Sequence, residues 1–144
     1  MYDVNTERIE DRLVYLDRMI VLLSQLIELS DEQIAADARN VAAIERGLHL
    51  SIEAIVDVGN ALIDGFIMRD PGSYSDIVEI LRDEQVISQP LAEKLTIVVE
   101  FRKQLVNEYT QVPVNELIRL VRSYTEELKH YAPAVRAYVK KELF

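Results

Sequence analysis

Apolar residues recur along this chain at alternating intervals of four and three, the spacing that puts side chains on one face of an α-helix. The first run is Ile9, Leu13, Leu16, Ile20, Leu23 and Ile27, and it predicts a helix over about residues 6–29. Asn5 or Thr6 can cap its start, and Glu7 and Glu10 suit the positive end of the helix dipole. A short turn around 31–36 precedes a second helix, over about 38–67, which carries three stripes. Ile44, Leu48, Ile52, Ile55, Leu62 and Phe66 make a bulky apolar face. Gly47, Ser51, Ala54, Val58, Ala61 and Gly65 make a face of mostly small residues. Glycine inside a helix costs about 1 kcal/mol against alanine, so this face predicts the close approach of another helix. Glu53, Asp57, Asn60 and Asp64 make an acidic stripe, either a solvated face or a row of partners for an arginine on another helix or subunit.

Turn residues divide the rest of the chain. Asp70-Pro71-Gly72-Ser73 is a strong turn signal, and a short third helix carrying Ile77, Ile80 and Leu81 starts at Ser73 or Ser75. Ser88 and Pro90 open a fourth helix, as a serine cap and an early proline do. Val112-Pro113 ends that segment and opens a fifth, with Leu117, Val121, Tyr124, Leu128, Tyr131, Val135 and Tyr138 on one face. Pro133 is expected to kink it or to end its first half. The expectation is an all-α, antiparallel bundle of about five helices in a single domain over residues 1–144.

Composition narrows the chemistry. The 144 residues include no cysteine, which excludes a disulfide framework, a thiolate nucleophile and a Cys-based zinc site. No apolar run approaches the length of a bilayer span, and Tyr2-Asp3-Val4-Asn5 has no signal-peptide character, so a cytoplasmic protein without a membrane partner is expected. The net charge of −9 argues against an indiscriminate nucleic-acid binder. The charge is unevenly spread: residues 1–90 hold 18 acids and 7 bases, residues 91–144 hold 7 acids and 9 bases. A polyanion is therefore expected on surface built from the last third.

The fourth helix carries the anomaly. Its stripe runs Leu91, Leu95, Val98, Arg102, Leu105, Tyr109, with an arginine where the period calls for a buried side chain. A buried guanidinium needs a carboxylate, a phosphate or a wet cleft, because an unpaired buried charge is costly. The acidic stripe of the second helix can supply the carboxylate, Glu53 first and Asp57 second. Tyr109, seven residues on, is expected almost on the same face.

The segment from Glu100 to Tyr109 resembles the motif of the HepT/YutE-like branch of the HEPN superfamily: an arginine, four residues, a histidine, any residue, a tyrosine. Arg102 and Tyr109 match, and Asn107 stands at the histidine position. Glu45-Arg46 and the run from Ser51 to Asn60 resemble the family's second helix, and Pro71, Tyr74 and the isoleucine-rich helix after them its third. The resemblance implies a HEPN-like homodimer whose two motif helices meet in a cleft, with no cofactor. In active members that cleft is a metal-independent endoribonuclease site. The RNA 2′-hydroxyl attacks the adjacent phosphate, the arginine stabilises it, and the histidine transfers protons. The resemblance also implies a toxin–antitoxin pair, in which a minimal nucleotidyltransferase antitoxin adds AMP to the motif tyrosine, here Tyr109. Carried onto this chain, the catalytic positions are Arg102, Asn107 and Tyr109, with Lys103, Glu53 and Asp57 in support and no metal ligand.

Asn107 changes the expected activity. An amide does not exchange a proton near neutral pH, and losing a general acid–base typically costs about 10²–10⁴ in rate. The expectation is a weak or inactive ribonuclease; the alternative is a non-catalytic RNA- or nucleotide-binding, or purely structural and regulatory, homodimer. His49 and His130 lie on other helices and are not expected to replace the imidazole. Glu127 and His130 have the i, i+3 spacing of a di-metal bundle site, but such a site needs two such pairs and two further glutamates, and the chain has two histidines in all.

Overall fold

The computed structural model describes residues 2–144, and among them there are helices and turns but no strand. Helix α1 spans Thr6–Leu26 and buries Ile9, Leu13, Leu16, Ile20 and Leu23, the predicted stripe. Asn5 caps it by accepting from the Arg8 amide. It stops three residues short of expectation, and the reason is tertiary. Arg122 reaches from a later helix to donate to the carbonyls of Ile27 and Leu29 and to Asp31, fixing the turn that follows.

The predicted turn at 31–36 is a short helix, α2 (Asp31–Ala36), opened by a reciprocal cap between Ser30 and Gln33. Helix α3 (Ala38–Gly65) is the central element, and both its bulky and its small-residue faces are buried. The small face does meet other elements closely. A methyl on Gly47 would come within 3.1 Å of Leu23 on α1, a flexible side-chain tip that can yield. A methyl on Gly65 would lie 2.8 Å from the Val4 backbone, which cannot. Helix α3 ends through Ile67 at φ 57°, with the Met68 amide returning to the Ile63 carbonyl. This is the usual left-handed helix stop, made here with a β-branched residue in place of glycine.

Helix α4 (Tyr74–Asp83) starts at a Ser73 cap. The turn before it is tied by Asp76, which accepts from the Gly72 amide and from both terminal nitrogens of Arg69. Helix α5 (Gln89–Glu100) has its Ser88 cap and early proline as expected. The predicted fourth helix is not continuous. It breaks at Phe101, whose amide bonds back to Val98, and resumes as α6 (Arg102–Val106).

A 3₁₀ turn (Tyr109–Gln111) leads into α7 (Val114–Leu128) and α8 (Tyr131–Leu143). The break between α7 and α8 falls at Lys129-His130, just before the position where proline was expected to act. Pro133 then sits in the first turn of α8, where an amide hydrogen has no helical acceptor to lose. The buried residues of all these helices form one apolar cluster, with α3 packed by α1, α4, α6 and α7. Among the described residues no helix is long and apolar enough to cross a membrane.

Candidate functional site

Arg102 opens α6, and Leu105, on the same face, is buried and anchors the short helix to the core. That anchoring points the Arg102 side chain across to α3. Its Nε donates to Glu53 Oε1 at 2.7 Å, and its guanidinium lies over the Tyr74 ring of α4, 4.3 Å from the centroid. Three helices thus hold one guanidinium, by a charge-assisted hydrogen bond and by a cation–π contact. The Glu53 hydrogen bond raises the Arg102 pKa above its ordinary value, against the opposing effect of burial, so the charge is permanent. About a third of each partner's side chain remains exposed. Among the described residues, neither Nη1 nor Nη2 of Arg102 donates to another protein group.

The other expected positions separate. Asp57, the second choice of carboxylate for Arg102, lies one turn beyond Glu53 and is committed to α1 instead. Its Oδ2 stands 3.5 Å from Arg12 Nε and 3.9 Å from Arg8 Nη2. Lys103 is exposed and makes no ion pair among the described residues. Asn107 is exposed at the end of α6, its amide bonded to the Lys103 carbonyl, and its side chain makes no hydrogen bond to Arg102 within the chain.

Tyr109 departs most from the helical projection. The helix stops at Val106, Glu108 leaves helical backbone geometry, and Tyr109 stands in the 3₁₀ turn, 69% exposed. Gln104 fixes this turn by donating to the carbonyls of Glu108 and Gln111. The i, i+7 argument assumed a helix that the chain does not continue.

Two residues at the site were not picked out by sequence reasoning. Tyr74, noted only as part of a turn-and-helix resemblance, forms the aromatic floor under Arg102. His49, one helical turn before Glu53, places its Nε2 3.4 Å from the same Glu53 oxygen that Arg102 binds. The i, i+4 spacing of His49 and Glu53 was the available signal. A cleft of about 330 Å³ between α1 and α3 borders Glu53 and is lined by Asp11, Arg12, Tyr15, Arg18 and Asp57. Glu127 and His130 do not gather a metal-binding set: Lys94 stands 3.2 Å from Glu127, and His130 is exposed at the α7–α8 break.

The sequence and the fold both have known relatives. The chain is 36% identical over 143 residues to YutE of Bacillus subtilis (strain 168), covering 99% of this chain and 95% of that protein. The solved structure of the cytosolic protein YutE from Bacillus subtilis superposes with a TM-score of 0.90 at 37% identity, over 99% of this chain and 96% of that one. A tri-AMPylated HEPN toxin from Shewanella oneidensis, solved in complex with its MNT antitoxin, has the same fold. There the TM-score is 0.81 at 21% identity, over 90% of this chain and 97% of that one. The HepT-like ribonuclease family profile matches residues 16–135, a span that holds Glu53, Tyr74 and Arg102, and the chain belongs to that family.

Proposed function

We propose that this protein binds single-stranded RNA through Arg102, as a homodimer of the HepT-like kind, and cleaves it weakly because Asn107 cannot move protons. The observation that carries the reading is the state of Arg102. Its Nε is fixed by Glu53, its face rests on Tyr74, and its two terminal nitrogens are unengaged. A guanidinium held in this way presents a planar pair of donors, the geometry that phosphate oxygens accept. Lys103, Asn107 and Tyr109, on the same segment, are exposed.

The test is a titration of a labelled single-stranded RNA with the protein and with Arg102→Ala. Removing one phosphate contact of this kind is expected to weaken binding about 10-fold or more, from the 1.5–3 kcal/mol typical of hydrogen bonds to charged groups. Equal affinity for both proteins would overturn the reading.

The antitoxin expectation becomes concrete at Tyr109. The Shewanella oneidensis toxin is AMPylated in a complex with an MNT antitoxin, and Tyr109 offers an exposed phenol on a braced turn. Incubation with a minimal nucleotidyltransferase and ATP is expected to add the mass of one or more AMP groups. Tyr109→Phe should add none; unchanged labelling of that variant would remove Tyr109 from the proposal.

A further inference from the structure

His49 and Arg102 approach one carboxylate oxygen from two helices. Glu53 Oε1 lies 2.7 Å from Arg102 Nε and 3.4 Å from His49 Nε2. On the other side of the ring, His49 Nδ1 lies 3.5 Å from Arg46 Nη1. His49 is half-buried, and Arg46 is exposed. The chain therefore runs guanidinium, imidazole, carboxylate, guanidinium, with Tyr74 of α4 beneath the last. Asp11, Arg12 and Arg18 of α1 line the cleft that Glu53 borders.

This arrangement suits a neutral ring. A proton on Nε2 donates to Glu53, and the lone pair on Nδ1 accepts from Arg46. Imidazolium donates from both nitrogens, so charging the ring changes both contacts. It adds a second positively charged donor at the Glu53 oxygen that Arg102 Nε already holds. It also turns an N–H toward Arg46, and that contact becomes a repulsion between like charges. Imidazole is the side chain that makes this change between pH 5 and 8.

We propose that His49 is the proton-controlled member of the phosphate subsite. Its protonation adds a third cation beside Arg46 and beside Arg102, which Glu53 continues to hold, so phosphodiester binding tightens as the pH falls. The proposal rests on the reading of Arg102 as the phosphate ligand. Both nitrogens of the neutral ring are engaged, so His49 carries charge to the site and does not stand in for the proton transfer that Asn107 lacks.

The experiment measures binding of a labelled single-stranded RNA at pH 8 and pH 5.5, at one ionic strength, for the wild type, His49→Gln, His130→Gln and Arg102→Ala. The wild type is expected to bind about five- to tenfold more tightly at the lower pH, the scale of one added charge near a protein surface. His49→Gln keeps an amide that can donate to Glu53 but cannot charge. It should lose most of the gain between pH 8 and pH 5.5, read against its own affinity at pH 8. His130→Gln should keep the gain, since that histidine is exposed at the α7–α8 break. A full gain in His49→Gln, with Arg102→Ala binding weakly at both pH values, overturns the role of His49 alone. Wild-type affinity in Arg102→Ala overturns the phosphate reading beneath it.

Discussion

Replacing Asn107 with histidine is expected to raise the rate of RNA cleavage about 10²-fold, the low end of what general acid–base catalysis contributes. In strand cleavage by the 2′-hydroxyl, that oxygen loses a proton as its bond to phosphorus forms. The 5′ oxygen gains a proton as its own bond to phosphorus breaks. Arg102 can stabilise the charge on the phosphate but, held protonated by Glu53, cannot take part in either transfer. An imidazole at position 107 can, because it titrates near the working pH. The position is exposed and follows directly on α6, which Leu105 anchors to the core, and Gln104 braces the turn beyond it. The new ring therefore enters a supported segment.

The gain should disappear in an Arg102→Ala background. The two groups act on one transition state, and their effects do not add. The assay follows cleavage of a defined single-stranded RNA with and without chelator. Robust chelator-resistant cleavage by the natural protein would refute the role given to Asn107. Absence of cleavage by both forms would leave the binding role and remove the nuclease one.

The second large effect concerns stability. Tyr131→Ala is expected to cost about 3–5 kcal/mol, the range for truncating a large aromatic side chain in a core. Tyr131→Phe should cost only about 1 kcal/mol, the net worth of one hydrogen bond. Tyr131 opens α8 and is fully buried, and its hydroxyl donates to the Ile55 carbonyl of α3 at 2.9 Å. Burial pushes the phenol pKa far up, so the hydroxyl stays a donor throughout the usual pH range. Ile55 lies inside α3, where a carbonyl already accepts the helical bond. Removing the hydroxyl thus leaves no orphaned acceptor, whereas removing the ring leaves a cavity. Urea unfolding followed by circular dichroism measures both variants. Equal losses would mean that the hydroxyl, not the ring, holds α8 to α3.

Periodicity made most of the fold legible. The stripes of the first, second, third and fifth predicted helices appear as buried faces, and the serine caps at Ser73 and Ser88 open real helices. These features depend on residues within one or two turns of each other, so sequence spacing carries them. The identity of the carboxylate beside Arg102 was legible to the extent that an arginine on an apolar stripe requires one and α3 offers a row. That Glu53 takes it, while Asp57 turns to Arg12 and Arg8, depends on a shift of one helical turn along α3, which only packing fixes.

Helix ends were read less well, because their causes lie far away along the chain. Helix α1 ends where Arg122, more than ninety residues later, takes the carbonyls of Ile27 and Leu29 just beyond it. The motif segment leaves helical geometry after Val106, so Tyr109 swings out to solvent and does not follow the heptad onto the Arg102 face. The sequence by itself determined the helical class and the buried faces, and it carried the family resemblance. Only the tertiary structure decided which side chains share the site, putting Tyr74 under Arg102 and His49 on the same Glu53 oxygen. Spacing along one helix sets which residues share a face, but contacts between helices depend on their crossing and rotation, which the whole core decides at once.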